Sequence, residues 1–165
     1  VIDTAAFARL LDRLSAACIA NDGASFAALF TEDATYEDDF FGLYRGRAAI
    51  AAMLQRFHDT GQNYRWEFYD LVTDGRLGYA SFRFSFASKL PGSADRPVLI
   101  TGISCFRFEG ELVAAYRETF DTGIALAQLD FPAERLKRVL DKEAAAQNAS
   151  AQAREHLARF HPDAG

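Results

Sequence analysis

The spacing of apolar residues changes once along this chain, and that change limits what it can fold into. Phe7, Leu10, Leu11, Leu14 and Cys18 recur at helical spacing, as do Ile50, Met53, Leu54 and Phe57. Beyond Gly61 the period drops to two. In residues 77–89, Tyr79, Ser81, Arg83, Ser85 and Ala87 fall on one face, and Ala80, Phe82, Phe84, Phe86 and Ser88 on the other. Residues 63–73, 77–89, 97–109 and 112–121 therefore predict four long antiparallel strands, with Asp74-Gly75 and Gly110-Glu111 at hairpin turns. Helices first and paired strands afterwards is the order of an α+β fold, a curved sheet wrapped around helices.

Local signals refine the outline. Asp3 or Thr4 can cap the first helix, and Asn21-Asp22-Gly23 ends it. A short second helix carries Phe26, Leu29 and Phe30. Residues 34–37 read as a short strand and 38–43 as a loop. Gly46 precedes a third helix, and Gly61 stands where a left-handed glycine would close it. After the strands, Asp130 can cap a further helix with Pro132 in its first turn and an apolar stripe of Leu136, Val139 and Leu140. Past Ala145 only Leu157 and Phe160 offer anchors, so residues 147–165 are expected as a weakly docked helix or a frayed tail. No linker separates this extension, residues 131–165, from residues 1–130, so both are assigned to one domain.

Composition excludes several functions. The 165 residues suit one domain at ~150 residues per domain. A formal net charge of −5 lacks the basic face that a nucleic-acid binder needs. No apolar run approaches the ~20 residues of a membrane span. Arg9, Asp12 and Arg13 interrupt the only stretch that resembles a signal peptide. Cys18 and Cys105 sit in apolar segments and are expected as buried thiols in a reducing cytoplasm. His58, His156 and His161 stand at no metal-ligand spacing, and no phosphate-binding or nucleophile-elbow motif is present. No metal, cofactor, nucleic-acid or membrane partner is expected.

Three stretches carry a resemblance. They are residues 21–38, with Leu29-Phe30-Thr31-Glu32-Asp33-Ala34-Thr35-Tyr36-Glu37-Asp38; residues 44–50, Tyr44-Arg45-Gly46-Arg47-Ala48-Ala49-Ile50; and residues 102–121, with Gly102-Ile103-Ser104-Cys105-Phe106-Arg107-Phe108 and Tyr116-Arg117-Glu118-Thr119-Phe120-Asp121. In order and spacing the chain resembles the nuclear transport factor 2-like superfamily, which includes ketosteroid isomerases, SnoaL-like polyketide cyclases and limonene epoxide hydrolases. The resemblance implies a cone of strongly bent antiparallel sheet on three N-terminal helices, with an apolar pocket. It also implies a homodimer through the outer face of the sheet. Asp38 falls where ketosteroid isomerases hold their general base, while Leu14 and Ser104 stand at the positions of their oxyanion-hole Tyr and Asp. Against the epoxide hydrolases, Arg83 matches the Arg, Tyr36 the Tyr and Glu118 the second Asp; Asp38 replaces an Asn and Ser85 the first Asp.

Strand periodicity puts Tyr36 with Asp38 on one face, and Tyr116, Glu118 and Phe120 on another. Two carboxyls entering an apolar cavity raise one another's pKa, and an arginine opposes both effects. Asp38 or Glu118 is thus the expected base, Arg83 the electrostatic partner and Tyr36 a donor, a set able to perform metal-free acid/base chemistry. Alternatively Asp38 is a solvated loop charge, and Glu118 pairs structurally with Arg83 or Arg117. Tyr116, Phe120, Ser104, Phe106, Trp66 and His58 are expected to contact the substrate. The 15 Phe, 6 Tyr and 1 Trp exceed one small core, which points to a bulky hydrophobic or aromatic ligand. The reading is an isomerase, cyclase or lyase; the alternatives are an epoxide hydrolase and a non-catalytic binding or dimerisation module.

Overall fold

The computed structural model describes residues 1–160; residues 161–165, with His161 and the end of the expected tail, lie outside the described residues. Two compact units divide the chain, Val1–Leu129 and a second beginning at Asp130.

Helix α1 (Thr4–Ile19) starts where the Asp3 side chain accepts from the Ala6 N–H at 2.7 Å, and it buries Phe7, Leu10, Leu11, Leu14 and Cys18. Helix α2 (Gly23–Ala27) is capped by Asp22. It ends earlier than its apolar pattern suggests, because Phe30 pairs with Val113 and opens strand β1 (Phe30–Asp38). The expected loop at 38–43 is a tight turn into strand β2 (Gly42–Arg45), which folds back on β1. Helix α3 (Arg47–Thr60) follows, with Ile50, Met53, Leu54 and Phe57 buried. Gly61 is not the left-handed residue expected there: its φ of −145° is extended, and it opens strand β3 (Gly61–Thr73) directly.

Strands β4 (Leu77–Ser88), β5 (Pro97–Glu109) and β6 (Leu112–Phe120) complete a six-stranded sheet in the order β2-β1-β6-β5-β4-β3. The register of β3 on β4 shifts between Gln62 and Arg65 and again between Tyr69 and Val72, with Asn63 and Asp70 at positive φ. Such bulges bend a strand and let the sheet curl over its helices. Four of the five pairings are antiparallel, those of the four long strands as expected, and β1 and β6 run parallel. A parallel pair needs a long crossover, supplied here by everything between β1 and β6. A short helix that the sequence pattern did not reveal, α4 (Thr122–Gln128), follows β6 and is capped by Asp121. Its Gln128 side chain bonds both backbone groups of Leu99, past the point where β6 stops pairing with β5.

In the second unit, helix α5 (Ala133–Asn148) begins at Pro132 and not at Asp130, whose φ is 60°. Helix α6 (Ala151–Phe160) follows it. The guanidinium of Arg135 lies 3.9 Å from the ring centre of Phe131. No helix among the described residues is long and apolar enough to cross a membrane.

Phe7 anchors α1 to the sheet. Its ring meets Phe106 at 5.1 Å and Phe108 at 5.2 Å, both edge-on, and burying it contributes about 1.5–3 kcal/mol. This close approach requires Gly78 on β4, where a Cβ would stand 2.8 Å from Phe108 and 2.9 Å from Phe7. Neither ring can yield inside a packed cluster, so Gly78→Ala should lower stability by about 1–3 kcal/mol in urea unfolding. An unchanged midpoint would show that α1 does not depend on this contact.

Candidate acid/base site

The parallel register of β1 and β6 sets Tyr36 beside Tyr116 and Glu37 beside Arg117. Alternation then turns Tyr36, Asp38, Tyr116 and Glu118 to the inner face, where all four are buried. On β5, Ser104 lies level with Glu118 and Phe106 level with Tyr116, again facing inward.

These groups form one hydrogen-bonded chain. The Tyr116 hydroxyl donates to Glu118 Oε2 at 2.5 Å, and Ser104 Oγ lies 2.9 Å from the same hydroxyl. The Glu118 and Asp38 carboxyls are hydrogen-bonded to each other. Asp38 Oδ1 also accepts the backbone N–H groups of Phe40 and Phe41, each at 2.7 Å. Asp38 is 6% and Glu118 7% exposed, so water does little to stabilise charge on either.

Burial pushes the Glu118 pKa well above the ordinary carboxylate range, and the Asp38 charge and hydrogen bond add to it; donation from Tyr116 opposes the rise. Burial also raises Asp38, against the lowering effect of its bond with Glu118 and of the two turn N–H groups. The pair is therefore asymmetric: both carboxyls are raised, and Asp38, which accepts two turn N–H groups, is the better-supported anion. On α1, the Cys18 thiol is pushed up to about 12 by burial and by the charge of Glu118, which makes it a poor nucleophile. Tyr36 is raised by burial first and then by Tyr116, Glu118 and Asp38. Its ring stacks on Tyr116 at 4.4 Å, and its hydroxyl has no hydrogen-bond partner among the described residues.

Arg83 is not part of this cluster. It projects from the exposed outer face of β4, level with Glu67, with its guanidinium 4.3 Å from the ring centre of Tyr69. Strand alternation makes the correction: Phe82 is inward and buried, so Arg83 must point outward. His58 is engaged structurally, with Nε2 donating to the Cys18 carbonyl at 2.8 Å. Trp66 packs among Phe68 at 4.9 Å and Phe84 at 5.4 Å, with its indole N–H unpartnered among the described residues. It borders a groove of about 370 Å³ between α1 and β3, which neither carboxyl of the pair lines. The half-buried Phe120 meets Phe40 at 5.0 Å, and Phe41 meets Phe57 at 5.0 Å. The sequence reading missed the Phe40 and Phe41 amides as Asp38 partners; an Asp two residues before a tight turn is their signal. Among the described residues, no three His, Cys, Asp or Glu side chains gather where a metal ion could bind.

The bent, open sheet over its helices is the architecture expected of the nuclear transport factor 2-like superfamily. Residues 11–116 match the SnoaL-like domain, and the chain belongs to that family. No curated protein matches the sequence. Among solved structures, a hypothetical protein with a ketosteroid isomerase-like fold from Catenulispora acidiphila, in complex with trimethylamine, is similar at 21% identity and TM-score 0.69, over 76% of this chain and 95% of that one. TsrD from Streptomyces laurentii is 22% identical at TM-score 0.67, over 78% and 98%. An LEH-like epoxide hydrolase from M. tuberculosis is 17% identical at TM-score 0.63, over 76% and 90%. These likenesses establish the fold.

The raised pair gives stability a definite sign with pH. Below the ordinary values of 3.8 for Asp38 and 4.5 for Glu118, folded and unfolded chains are both protonated and no penalty applies. As pH rises further, the unfolded chain releases protons that the folded chain keeps, so stability falls until the folded Glu118 also titrates. Glu118→Gln keeps the hydrogen bonds of the neutral acid and cannot ionise. In urea unfolding, parent stability should therefore decline relative to Glu118→Gln as pH rises above 4.5, until the folded Glu118 itself ionises. A difference independent of pH would contradict a raised Glu118.

Proposed function

We propose that the chain is a cofactor-independent acid/base enzyme of the isomerase, cyclase or lyase type, acting on a bulky hydrophobic small molecule. The observation that carries this reading is the buried, hydrogen-bonded pair of Asp38 and Glu118 with unequal support for charge. Asp38 takes a proton from a substrate carbon next to a carbonyl. The C–H electron pair moves into the carbonyl, and charge grows on its oxygen. Tyr36 has a hydroxyl without a partner among the described residues, so it suits the stabilisation of that oxygen, while Glu118 holds the Asp38 carboxyl. Returning the Asp38 proton to a different carbon gives isomerisation, and expelling a leaving group gives elimination. The half-exposed aromatic rings of Tyr64, Phe84, Phe86 and Phe120 favour a flat, aromatic or polycyclic substrate.

The epoxide-hydrolase alternative has less support, because its arginine, Arg83, stacks on Tyr69 at the outer face and Ser85 stands where a proton-donating Asp is needed. The test is deuterium uptake from heavy water into a panel of hydrophobic ketones, read by mass spectrometry. The parent should label at least one ketone. Asp38→Asn should slow this by roughly two to four orders of magnitude, with a smaller loss for Glu118→Gln. A larger loss in Glu118→Gln would make Glu118 the base. Ketones that bind without exchange would replace the enzyme by a binding module. Hydrophobic epoxides hydrated with labelled water oxygen would make it a hydrolase.

The outer face of the sheet supports a homodimer. Val72, Tyr79, Leu99 and Ile103 are all at least 44% exposed there, and burying such a group of apolar side chains favours association. Light scattering should give about twice 18.3 kDa, and Ile103→Asp should give the monomer. A parent that is monomeric at micromolar concentration would overturn this assignment.

A further inference from the structure

Ser104 and Tyr116 look at first like substrate contacts, yet their exposures are 0% and 1% and their polar atoms are spent on one another and on Glu118. A tyrosine has one O–H to donate, and Tyr116 donates it to Glu118 Oε2. In the contact between the two hydroxyls, Ser104 is therefore the donor. The chain has one direction, Ser104 to Tyr116 to Glu118, and each bond polarises the next. Its geometry is pinned by packing. The Tyr116 ring lies between Tyr36 at 4.4 Å and Phe106 at 5.0 Å, and Ser104 sits level with Glu118 on the neighbouring strand.

We propose that Ser104 and Tyr116 are positioning residues for the acid/base pair: they hold Glu118 by one oxygen and steady its carboxylate, so that it can release the proton it shares with Asp38. The proposal rests on the acid/base reading of that pair. Without the arm, burial and the neighbouring anion would lock Glu118 in its neutral form, able to hold a proton but not to deliver it. The titratable groups acting on Glu118 are Asp38 and Tyr36 from β1, Asp39 from the turn after β1, Cys18 from α1 and Tyr116 on its own strand. Of these, only Tyr116 bonds to Glu118 in the sense that favours its ionised form.

The arm can be tested without a known substrate. Carbon-13 NMR of side-chain carboxyls, assigned through Asp38→Asn and Glu118→Gln, follows the titration of the pair in the whole protein. Tyr116→Phe keeps the ring and removes the donor, so the upper step of the pair should move up by about one to two pH units. Ser104→Ala should move it the same way by less, and the double variant should match Tyr116→Phe alone. A purely structural role would lower the melting temperature and leave the titration in place. An unmoved step in a folded Tyr116→Phe overturns the proposal. If that variant does not fold, an unmoved step in Ser104→Ala does so. A parent Glu118 that stays protonated until the protein unfolds also overturns it. A shifted step in a protein that exchanges no ketone proton defeats the enzyme reading and leaves the arm intact; an unmoved step in an active protein does the reverse.

Discussion

The parallel pairing of β1 with β6 is the joint on which the site depends. Antiparallel neighbours bring the end of one strand to the start of the next. A parallel pair in this register brings like positions level, so two tyrosines stack and two carboxyls meet one step further along. A slip of one residue would turn one pair to the outer face, where Arg117 and Glu37 now stand. The bulges in β3, the helices packed on the sheet and the Phe7 cluster all serve to keep this joint dry. Dryness is what makes two ordinary carboxyls behave differently from each other.

Two like charges in contact, out of water, cannot both persist, and the fold resolves the conflict by unequal support. Asp38 receives two backbone N–H groups, which favour its charged form. Glu118 receives one hydroxyl and faces the Asp38 carboxyl, which favours its neutral form. No arginine is needed to neutralise the pair, because one proton does the same work at lower desolvation cost. Arg83 is accordingly free to lie on Tyr69, on the other side of the sheet.

Much of this was legible in the sequence where the signal is local and periodic. The long strands follow from alternation and from turns at Gly75 and Gly110, both at positive φ. Tyr36 with Asp38 and Tyr116 with Glu118 follow from the same period. Alternation also put Arg83 beside Tyr79 and Ser81, on the face opposite Phe82; the family resemblance drew it inward, and the strand period prevailed. The partner of β1 was not legible, because no local pattern says which distant strand a short one will join. Helix α4 escaped notice because seven residues after a strand carry little periodicity, although Asp121 caps it in the usual way.

The turn that follows β1 ties a buried carboxyl to two aromatic side chains. The carboxylate oxygen that holds this turn closed belongs to Asp38, and the amides it holds belong to Phe40 and Phe41, whose rings rest on Phe120 and Phe57. A neutral carboxyl is a weaker acceptor than a charged one. Protonation of Asp38 would therefore weaken the two bonds that close this turn, so its charge and the closure of the turn are coupled.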